Sequence, residues 1–282
     1  MITREEKNRS IVNKIKKEET INLSRKILKI FLSVLLLCAL LFAYMYFIGV
    51  RGLFTNEYVL QDNIPKSFNG VKVLHFTDLL YGSSIDLDYL DKLENEIKKI
   101  NPNIVVFTGN IITNDYKPSE EEINKLKEFF KNLPYSIGKY AVRGNLDKTN
   151  FDLIMDNTNF TILDNEEITV FNNTKESISI IGINNQEIKE IKQNNNNYTI
   201  TLINNYDNYS KYHLTSNLVL AGNNLGGEIK LGSIPLLGNN IYNKSYYKEG
   251  NSTIYISNGL GSIHHMRFMN HPSINVYRLI TK

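Results

Sequence analysis

The sequence predicts an α/β domain preceded by one membrane-spanning helix. Three observations support this: strand-like segments that each end in a short polar residue, amphipathic segments with helical spacing between them, and one uncharged apolar run near the N-terminus. The chain has 282 residues, of which 42 % are hydrophobic, enough for one domain with a sizeable core. We therefore expect a single folded domain with a membrane anchor.

The apolar run at residues 30–50 reads IFLSVLLLCALLFAYMYFIGV and contains no charge. At about 1.5 Å of rise per residue, a helix of this length crosses a hydrocarbon core of roughly 30 Å. A cleaved signal peptide and a lipoprotein site at Cys38 are the alternatives. Aromatic rather than small residues follow the run, and no small residue directly precedes the cysteine, so we favour a single-pass transmembrane helix.

Basic charge is concentrated before this run. Nine of the 32 Lys and Arg and four of the 29 Asp and Glu lie within residues 1–29, which leaves 23 basic and 25 acidic residues elsewhere. The positive-inside rule then predicts a cytoplasmic N-terminus, a cell-membrane location and an extracytoplasmic domain. The remainder has no basic excess, so the membrane is an expected partner and nucleic acid is not.

We divide the chain into a basic cytoplasmic tail at 1–29, a transmembrane helix at 30–50, a linker at 51–65 and a folded domain at 66–282. Cys38 is the only cysteine. A disulfide within the domain and a cysteine-based metal site or nucleophile there are therefore excluded.

The first half of the domain alternates strands and helices. Strands are predicted at 70–78, 104–107 and 140–142, with helices at 86–100 and 119–133 between them. Ser119 and Glu122 have the spacing of a capping box at the start of the second helix. Further along, the pattern predicts a hairpin over 160–183, a polar helix-like segment and loop over 185–198, and β segments at 199–203, 218–221, 229–231, 253–257 and 274–280.

Five strands end in polar motifs. These are D-L-L at 78–80, G-N at 109–110, G-N-L-D at 144–147, N-N at 204–205 and G-N-N-L-G-G at 222–227. Sites in open α/β sheets form where the loops at the carboxyl ends of the strands meet. The pattern thus indicates one sheet with one site at its carboxyl edge.

These motifs resemble those of the calcineurin-like metallophosphoesterases, specifically the membrane-anchored bacterial branch. That pattern is D-x-H, G-D, G-N-H-D, a lone H after a strand, and G-H-x-H-G-G. Further similarity lies at 163–166 and at 257–261, with Arg267 and Pro272. The resemblance covers residues 66–282. It implies a sandwich of two mixed β-sheets flanked by helices, and two divalent metals that support attack on phosphorus.

This sequence departs from the family pattern at most ligand positions. Asp78 and Asn145 match, and the family's catalytic His corresponds to Leu146. The remaining positions, which the family fills with His or a bridging Asp, are Leu80, Asn110, Asn205, Asn223 and Leu225. The motif glycines remain in place, which indicates that the backbone scaffold is kept although its chemistry is changed.

Such a residue set is poorly suited to two cations, because their mutual repulsion calls for bridging carboxylate and leucine has no lone pair. We predict no cofactor or, in its place, one weakly bound Mg²⁺, Ca²⁺ or Mn²⁺. His264 and His265 are possible substitute ligands, although plain loop residues are the simpler interpretation. Arg267 is a possible phosphate-binding residue, with an internal ion pair as the alternative, and Asp78 and Asp147 are expected to hold loop amides.

The sequence therefore predicts a catalytically inactive pseudo-phosphoesterase, anchored in the membrane, that binds or scaffolds an envelope lipid head group or a protein partner. The alternative is an active phosphoric-ester hydrolase with a reduced or rearranged metal site, acting on a phosphodiester, phosphomonoester or lipid pyrophosphate. A structural subunit that pairs with an active relative is a third hypothesis.

Overall fold

The computed structural model describes residues 4–282 except 149, 185–188, 195, 213, 233, 238–241, 243 and 245. It comprises two compact units, Met1–Met45 and Tyr46–Lys282. The first unit is dominated by helix α1, Arg4–Ala43, and a π-helical turn follows at Tyr44–Ile48. Within the described residues, this is the one helix long and apolar enough to cross a membrane.

The second unit contains three larger helices and two six-stranded mixed sheets. Helices α2, α3 and α4 span Leu87–Ile100, Glu120–Asn132 and Asn150–Met155. The first sheet has the order β1-β14-β2-β3-β4-β5. Its strands are Phe54–Asp62 (β1), Lys72–Phe76 (β2), Ile104–Phe107 (β3), Gly138–Ala141 (β4), Phe160–Ile162 (β5) and Ser273–Thr281 (β14).

The second sheet has the order β12-β13-β9-β8-β7-β6. Its strands are Glu166–Phe171 (β6), Ser177–Ile183 (β7), Tyr198–Asn205 (β8), Leu218–Gly222 (β9), Tyr247–Glu249 (β12) and Ser252–Ile256 (β13). A separate two-stranded hairpin consists of Ile229–Leu231 (β10) and Ile234–Leu237 (β11).

The two sheets pack face to face, which makes the unit a sandwich. Their shared core includes Val73 and Val106 from the first sheet and Ile180 and Leu202 from the second. A second core lies between the first sheet and helices α2, α3 and α4. The third covers the outer face of the second sheet, where the 3₁₀ segment Tyr206–Tyr212 supplies three buried tyrosines.

The helix boundaries follow from local capping chemistry. Asp86 accepts a hydrogen bond from the Tyr89 amide at 3.0 Å and so begins α2. Ser119 and Glu122 form the predicted capping box at the start of α3, since each side chain accepts from the other residue's backbone amide. The two predicted helices are therefore confirmed to within one residue at each end.

Three sequence expectations require correction. The five strands with polar ends belong to two sheets, since β2, β3 and β4 lie in the first and β8 and β9 in the second. Strand β1 lies inside the predicted linker 51–65 and pairs in parallel with β14 along its full length. The linker prediction missed it because β1 is an edge strand with mixed polarity. The polar segment 185–198 has no helix among its described residues, and 185–188 and 195 lie outside the described part.

Candidate active site

Loops from both sheets meet in a cluster around one buried carboxylate. Asp78 follows β2, Asn110 follows β3 and Asn223 follows β9. Asp78 Oδ1 accepts a hydrogen bond from Asn110 Nδ2 at 2.7 Å, and Asp78 Oδ2 accepts one from the Asn223 amide at 2.7 Å. We refer to Asp78, Asn110 and Asn223 as the amide cluster. It stands at the convergent strand ends from which the sequence predicted a site.

The carboxamide of Asn110 is fully engaged within this cluster. Besides its bond to Asp78, Asn110 Nδ2 donates to Asn223 Oδ1 at 3.2 Å. Its Oδ1 accepts a hydrogen bond from the Leu146 amide at 3.0 Å. Both amide hydrogens and the carbonyl oxygen therefore have partners inside the protein. The side chain joins three strand-end loops where the family resemblance would place a bridging carboxylate.

A second buried carboxylate, Asp147, supports the same loops. Its Oδ2 accepts from the Asn110 amide at 2.7 Å and from the Gly144 amide at 2.9 Å. Its Oδ1 accepts from the Ile111 amide at 2.7 Å. These bonds agree with the expectation that Asp147 holds loop amides, and they link the loop after β4 to the loop after β3.

Several residues of the site have left-handed backbone conformations. Asp78, Asn110 and Asn223 have φ values of 52°, 61° and 59°. Leu80 and Leu225 have φ values of 46° and 51°, although this region is costly for a residue such as leucine. The packing of the surrounding loops therefore imposes these left-handed conformations on Leu80 and Leu225. Gly144 illustrates the close packing, since a Cβ there would lie 2.3 Å from Asn110 Oδ1.

The other family-equivalent positions do not join the amide cluster through their side chains. Asn145 is exposed and donates its backbone N–H to Asn204 Oδ1 at 3.2 Å. Asn205 Oδ1 accepts from the Asp207 amide at 3.0 Å, within its own loop. Asn204, by contrast, is wholly buried, and its Nδ2 donates to Thr108 O at 2.6 Å. The family pattern placed the predicted ligand position at Asn205, whereas the buried residue of the pair is Asn204. The alternation of side chains along β8 is the one sequence signal that favours Asn204.

Burial dominates the electrostatics of the site. It raises the pKa of Asp78 to about 6, although hydrogen bonds from Asn110, Asn223 and Thr77 oppose that shift. Burial likewise raises the pKa of Asp147, against the three backbone hydrogen bonds that stabilise its ionised form. A cationic ligand would act in the opposite direction and hold both pKa values low.

The residues at the family's ligand positions do not fit a pair of divalent metals. Asp78 supplies the one carboxylate of the set, its two oxygens already accept hydrogen bonds, and Leu80 and Leu225 are buried without any donor atom. Across the described residues, no group of three or more His, Cys, Asp or Glu side chains is placed to hold a metal ion. An oxygen-rich or imidazole-rich shell is what such cations require.

The proposed substitute ligands His264 and His265 each have other contacts. His264 Nδ1 pairs with Glu228, a buried residue whose Oε1 also accepts from the Ile263 and His264 amides and from Ser262 Oγ. His265 Nδ1 lies 3.0 Å from Ser83 O, and its ring packs on Tyr46 with centroids 4.5 Å apart. Glu228 directly follows the Gly226-Gly227 pair and organises this loop, a role that its sequence surroundings did not predict.

Arg267 is not available to bind phosphate. Its side chain is wholly buried, and its guanidinium donates to the carbonyl oxygens of Asn258, Gly261 and Asn270. Burial lowers its pKa to about 10. The prediction of a phosphate-binding role is therefore corrected, because the loop that carries Arg267 folds over the guanidinium and uses it to satisfy its own carbonyls.

The other histidines have structural surroundings where they are described. His75 is wholly buried, its Nε2 lies 2.8 Å from Thr108 Oγ1, and burial lowers its pKa to about 3. The His271 ring stacks on Phe54 at 4.4 Å. His213 lies outside the described residues.

A pocket of about 180 Å³ opens beside the amide cluster. Leu146, which stands at the family's catalytic His position, forms part of its wall together with Asn114, Tyr116, Lys148 and Asn150. The wall thus combines amide, phenol and ammonium groups with the carboxylate of Asp147 and with apolar side chains that include Ile112 and Phe151. Such a combination suits a polar or anionic ligand without requiring a metal.

Comparison with known proteins gives consistent matches. The family model described as calcineurin-like phosphoesterase matches residues 71–256. An uncharacterized metallophosphoesterase, YkuE of Bacillus subtilis (strain 168), is 27 % identical over 252 residues, which are 80 % of this chain and 85 % of that protein.

Two further relatives match over shorter lengths. The UDP-2,3-diacylglucosamine pyrophosphatase LpxG of Chlamydia muridarum is 31 % identical over 91 residues, which are 31 % of this chain and 27 % of that protein. An uncharacterized metallophosphoesterase of Campylobacter jejuni, Cj0846, is 27 % identical over 107 residues, or 37 % of this chain and 28 % of that protein.

Proposed function

Because the chain belongs to the calcineurin-like phosphoesterase family but has a donor set unsuited to two metals, we propose that it is a catalytically inactive member of that family. Its role is then to bind or scaffold a ligand at the membrane. The observation that carries this proposal is the Asn110 carboxamide. It occupies the place of the bridging carboxylate and satisfies Asp78 and Asn223 by hydrogen bonds.

The physical reason lies in how an amide differs from a carboxylate. A carboxylate beside Asp78 would create a pair of like charges that needs cations to be stable. An amide instead gives two N–H donors to the same acceptors and leaves one buried negative charge. The hydrogen bonds of Asn110 can therefore hold the cluster together without a cation.

The ligand site of this proposal is the pocket beside Leu146. Lys148 and the amides of Asn114 and Asn150 can bind a phosphate or hydroxyl-bearing group, whereas the aliphatic Leu146 cannot protonate a leaving group. We propose an envelope lipid head group or a protein partner as the occupant. A Lys148→Ala variant should bind weakly to vesicles enriched in such head groups, and Lys117→Ala is a matched surface control.

Helix α1 is proposed to anchor the chain in the cell membrane as a single-pass helix, with the basic tail in the cytoplasm and the domain outside. The supports are the uncharged run at 30–50 and the basic residues before it. In a Cys38→Ser background, Lys175→Cys should react with an impermeant maleimide on intact cells and Lys17→Cys should not. Labelling of Lys17→Cys alone would contradict this orientation.

Metal content and turnover test the inactive status directly. The purified full chain should contain no stoichiometric divalent metal and should not hydrolyse a generic phosphodiester with added Mn²⁺. A variant that restores the family pattern should bind metal, and its substitutions are Leu80→His, Asn110→Asp, Leu146→His, Asn205→His, Asn223→His and Leu225→His. Stoichiometric metal in the natural chain, with turnover lost in Asp78→Ala, would defeat the proposal.

That last outcome would establish the alternative, an active phosphoric-ester hydrolase with a reduced or rearranged metal set. The family itself and the pyrophosphatase LpxG among the relatives are what favour it. To bind a metal, His264 and His265 would then have to lose their contacts with Glu228 and Ser83, respectively.

A further inference from the structure

The hairpin β10–β11 presents an apolar face to solvent. Leu231 pairs with Ile234 across the hairpin, and Leu236 shares the face of Ile234 because side chains alternate along a strand. Ile263 and Met269 are two further exposed apolar residues, and they lie on the loop that contacts the base of the hairpin. We call these five residues the apolar rim, and each side chain is between 52 and 63 % exposed.

The loop that carries part of the apolar rim also contacts the segment by which the chain enters the domain. Phe268, between Ile263 and Met269 in this loop, pairs with the base of β10: its N–H donates to Glu228 O at 3.0 Å, and its carbonyl accepts from the Lys230 amide at 2.9 Å. The same loop contacts the entering chain, because the ring of Tyr46 packs on His265 and Gly49 lies against the Arg267 backbone.

The segment by which the chain enters the domain is held in place by hydrogen bonds at Arg51 and Gly52. Arg51 forms a bidentate pair with Asp86 at 2.6 and 2.8 Å, and Tyr89 Oη donates to Gly52 O at 2.9 Å. Phe47 and Ile48 lie at the end of the apolar run 30–50, shortly after α1 ends at Ala43, and both side chains are exposed. If that run spans a bilayer, Tyr46 and Gly49 and the loop they contact lie near the bilayer surface.

We propose that the apolar rim inserts into the outer leaflet of the membrane that holds the chain's N-terminal helix. Five exposed apolar side chains on one hairpin and the loop bonded to it indicate an interaction surface, and the contact of that loop with Tyr46 and Gly49 favours lipid as the occupant. A two-stranded hairpin on its own is weakly stable in water, so burial of this face in lipid also stabilises it. The proposal rests on the membrane-spanning part of the proposed function and is independent of the chemistry of the site.

The chain contains no tryptophan, so a single introduced one reports its own surroundings. The full chain is reconstituted into phosphatidylcholine vesicles whose acyl chains are brominated at either a shallow or a deep carbon. Leu236→Trp and Ile263→Trp should lose emission most with the shallow bromines, because an interfacial segment lies roughly 5–10 Å into the headgroup and acyl boundary. Two variants on separate segments guard against a local folding defect.

Two control variants separate the possible results. Phe171 is as exposed as the residues of the apolar rim but lies on β6, an edge strand of the second sheet. The emission of Phe171→Trp should therefore not change. Leu36→Trp, inside the apolar run, should be quenched most by the deep bromines. Unquenched rim variants beside a quenched Leu36→Trp would overturn the docking proposal alone. An unquenched Leu36→Trp would overturn the membrane span and, with it, the docking proposal that rests on that span.

Discussion

Asp78 and Asp147 are two buried carboxylates of one site whose partners differ in kind. Asp147 accepts three hydrogen bonds from the backbone amides of Asn110, Ile111 and Gly144, which any side chains at those positions would provide. Asp78 accepts one from the backbone of Asn223 and one from the side chain of Asn110. The first carboxylate therefore belongs to the scaffold, while the second depends on one amide that replaces a charged residue of the family pattern.

The largest effect is expected from removing the scaffold carboxylate. Asp147→Ala leaves three buried amides without an acceptor, and at about 1–3 kcal/mol each the free energy of unfolding should fall by at least about 3 kcal/mol. Asp78→Ala should cost less, because Asn110 still bonds to Asn223. Urea unfolding in detergent measures both, with the exposed Asp152→Ala as a surface control. Equal losses of unfolding free energy for Asp147→Ala and Asp78→Ala would contradict the distinction drawn between the two carboxylates.

Restoring a carboxylate at Asn110 should destabilise the site by creating a like-charge pair. For Asn110→Asp without divalent ions we expect a loss of about 3–5 kcal/mol of unfolding free energy, the range typical of an uncompensated buried charge. Added Mg²⁺ or Ca²⁺ should recover part of it, while the natural chain should not respond. A variant as stable as the natural chain in chelator would contradict the role given to the amide.

The pH dependence of stability should separate Asp78 from the buried base His75. The folded pKa of Asp78 is raised to about 6, so the native state binds the proton more tightly and gains stability as pH falls from 6 to 4. The pKa of His75 is lowered to about 3, so stability is lost as pH falls below 6.5 and the unfolded chain takes up the proton. At 1.36 kcal/mol per pKa unit, each effect approaches about 3 kcal/mol near pH 4.

These opposing contributions should largely cancel in the natural chain. His75→Gln should therefore become more stable relative to pH 7 as the medium is acidified, and Asp78→Asn should lose stability more steeply. Unfolding free energies between pH 4 and pH 7 provide the measurement. If the unfolding free energies of the two variants changed with pH in the same way, neither the Asp78 nor the His75 pKa shift would control stability at low pH.

The smallest effect is expected at Thr77. Its hydroxyl lies 3.3 Å from Asp78 Oδ2 and 3.4 Å from Gly109 O, distances typical of weak hydrogen bonds. The isosteric Thr77→Val should reduce the free energy of unfolding by no more than about 1 kcal/mol. A larger loss would place Thr77 beside Asn110 as an essential partner of Asp78.

The sequence predicted those parts of the fold that local chemistry controls. Capping residues and apolar spacing gave both large helices, and the polar strand ends indicated the edge where Asp78, Asn110 and Asn223 meet. The division of the strands between two sheets depends on long-range pairing, so local patterns indicated one sheet, and the two-sheet sandwich followed from the family resemblance alone. Strand β1 was missed because its single partner, β14, lies more than 200 residues away.

The candidate site was predictable in composition but not in bonding. Residue types alone showed that Leu80 and Leu225 cannot ligate a metal. They did not show that Asn110 would use all of its hydrogen-bonding groups internally, or that Arg267 would be enclosed by its own loop. Both results depend on side-chain orientation in loops with left-handed residues, where spacing rules do not apply.

The position of β14 has a consequence for biosynthesis. This last strand lies between β1 and β2, and β1 pairs with no other strand of its sheet. Until β14 has been synthesised and has left the ribosome, β2, β3 and β4 can associate, but the strand that joins β1 to β2 is missing. A nascent chain that stalls before that point therefore exposes unpaired edges on β1 and β2.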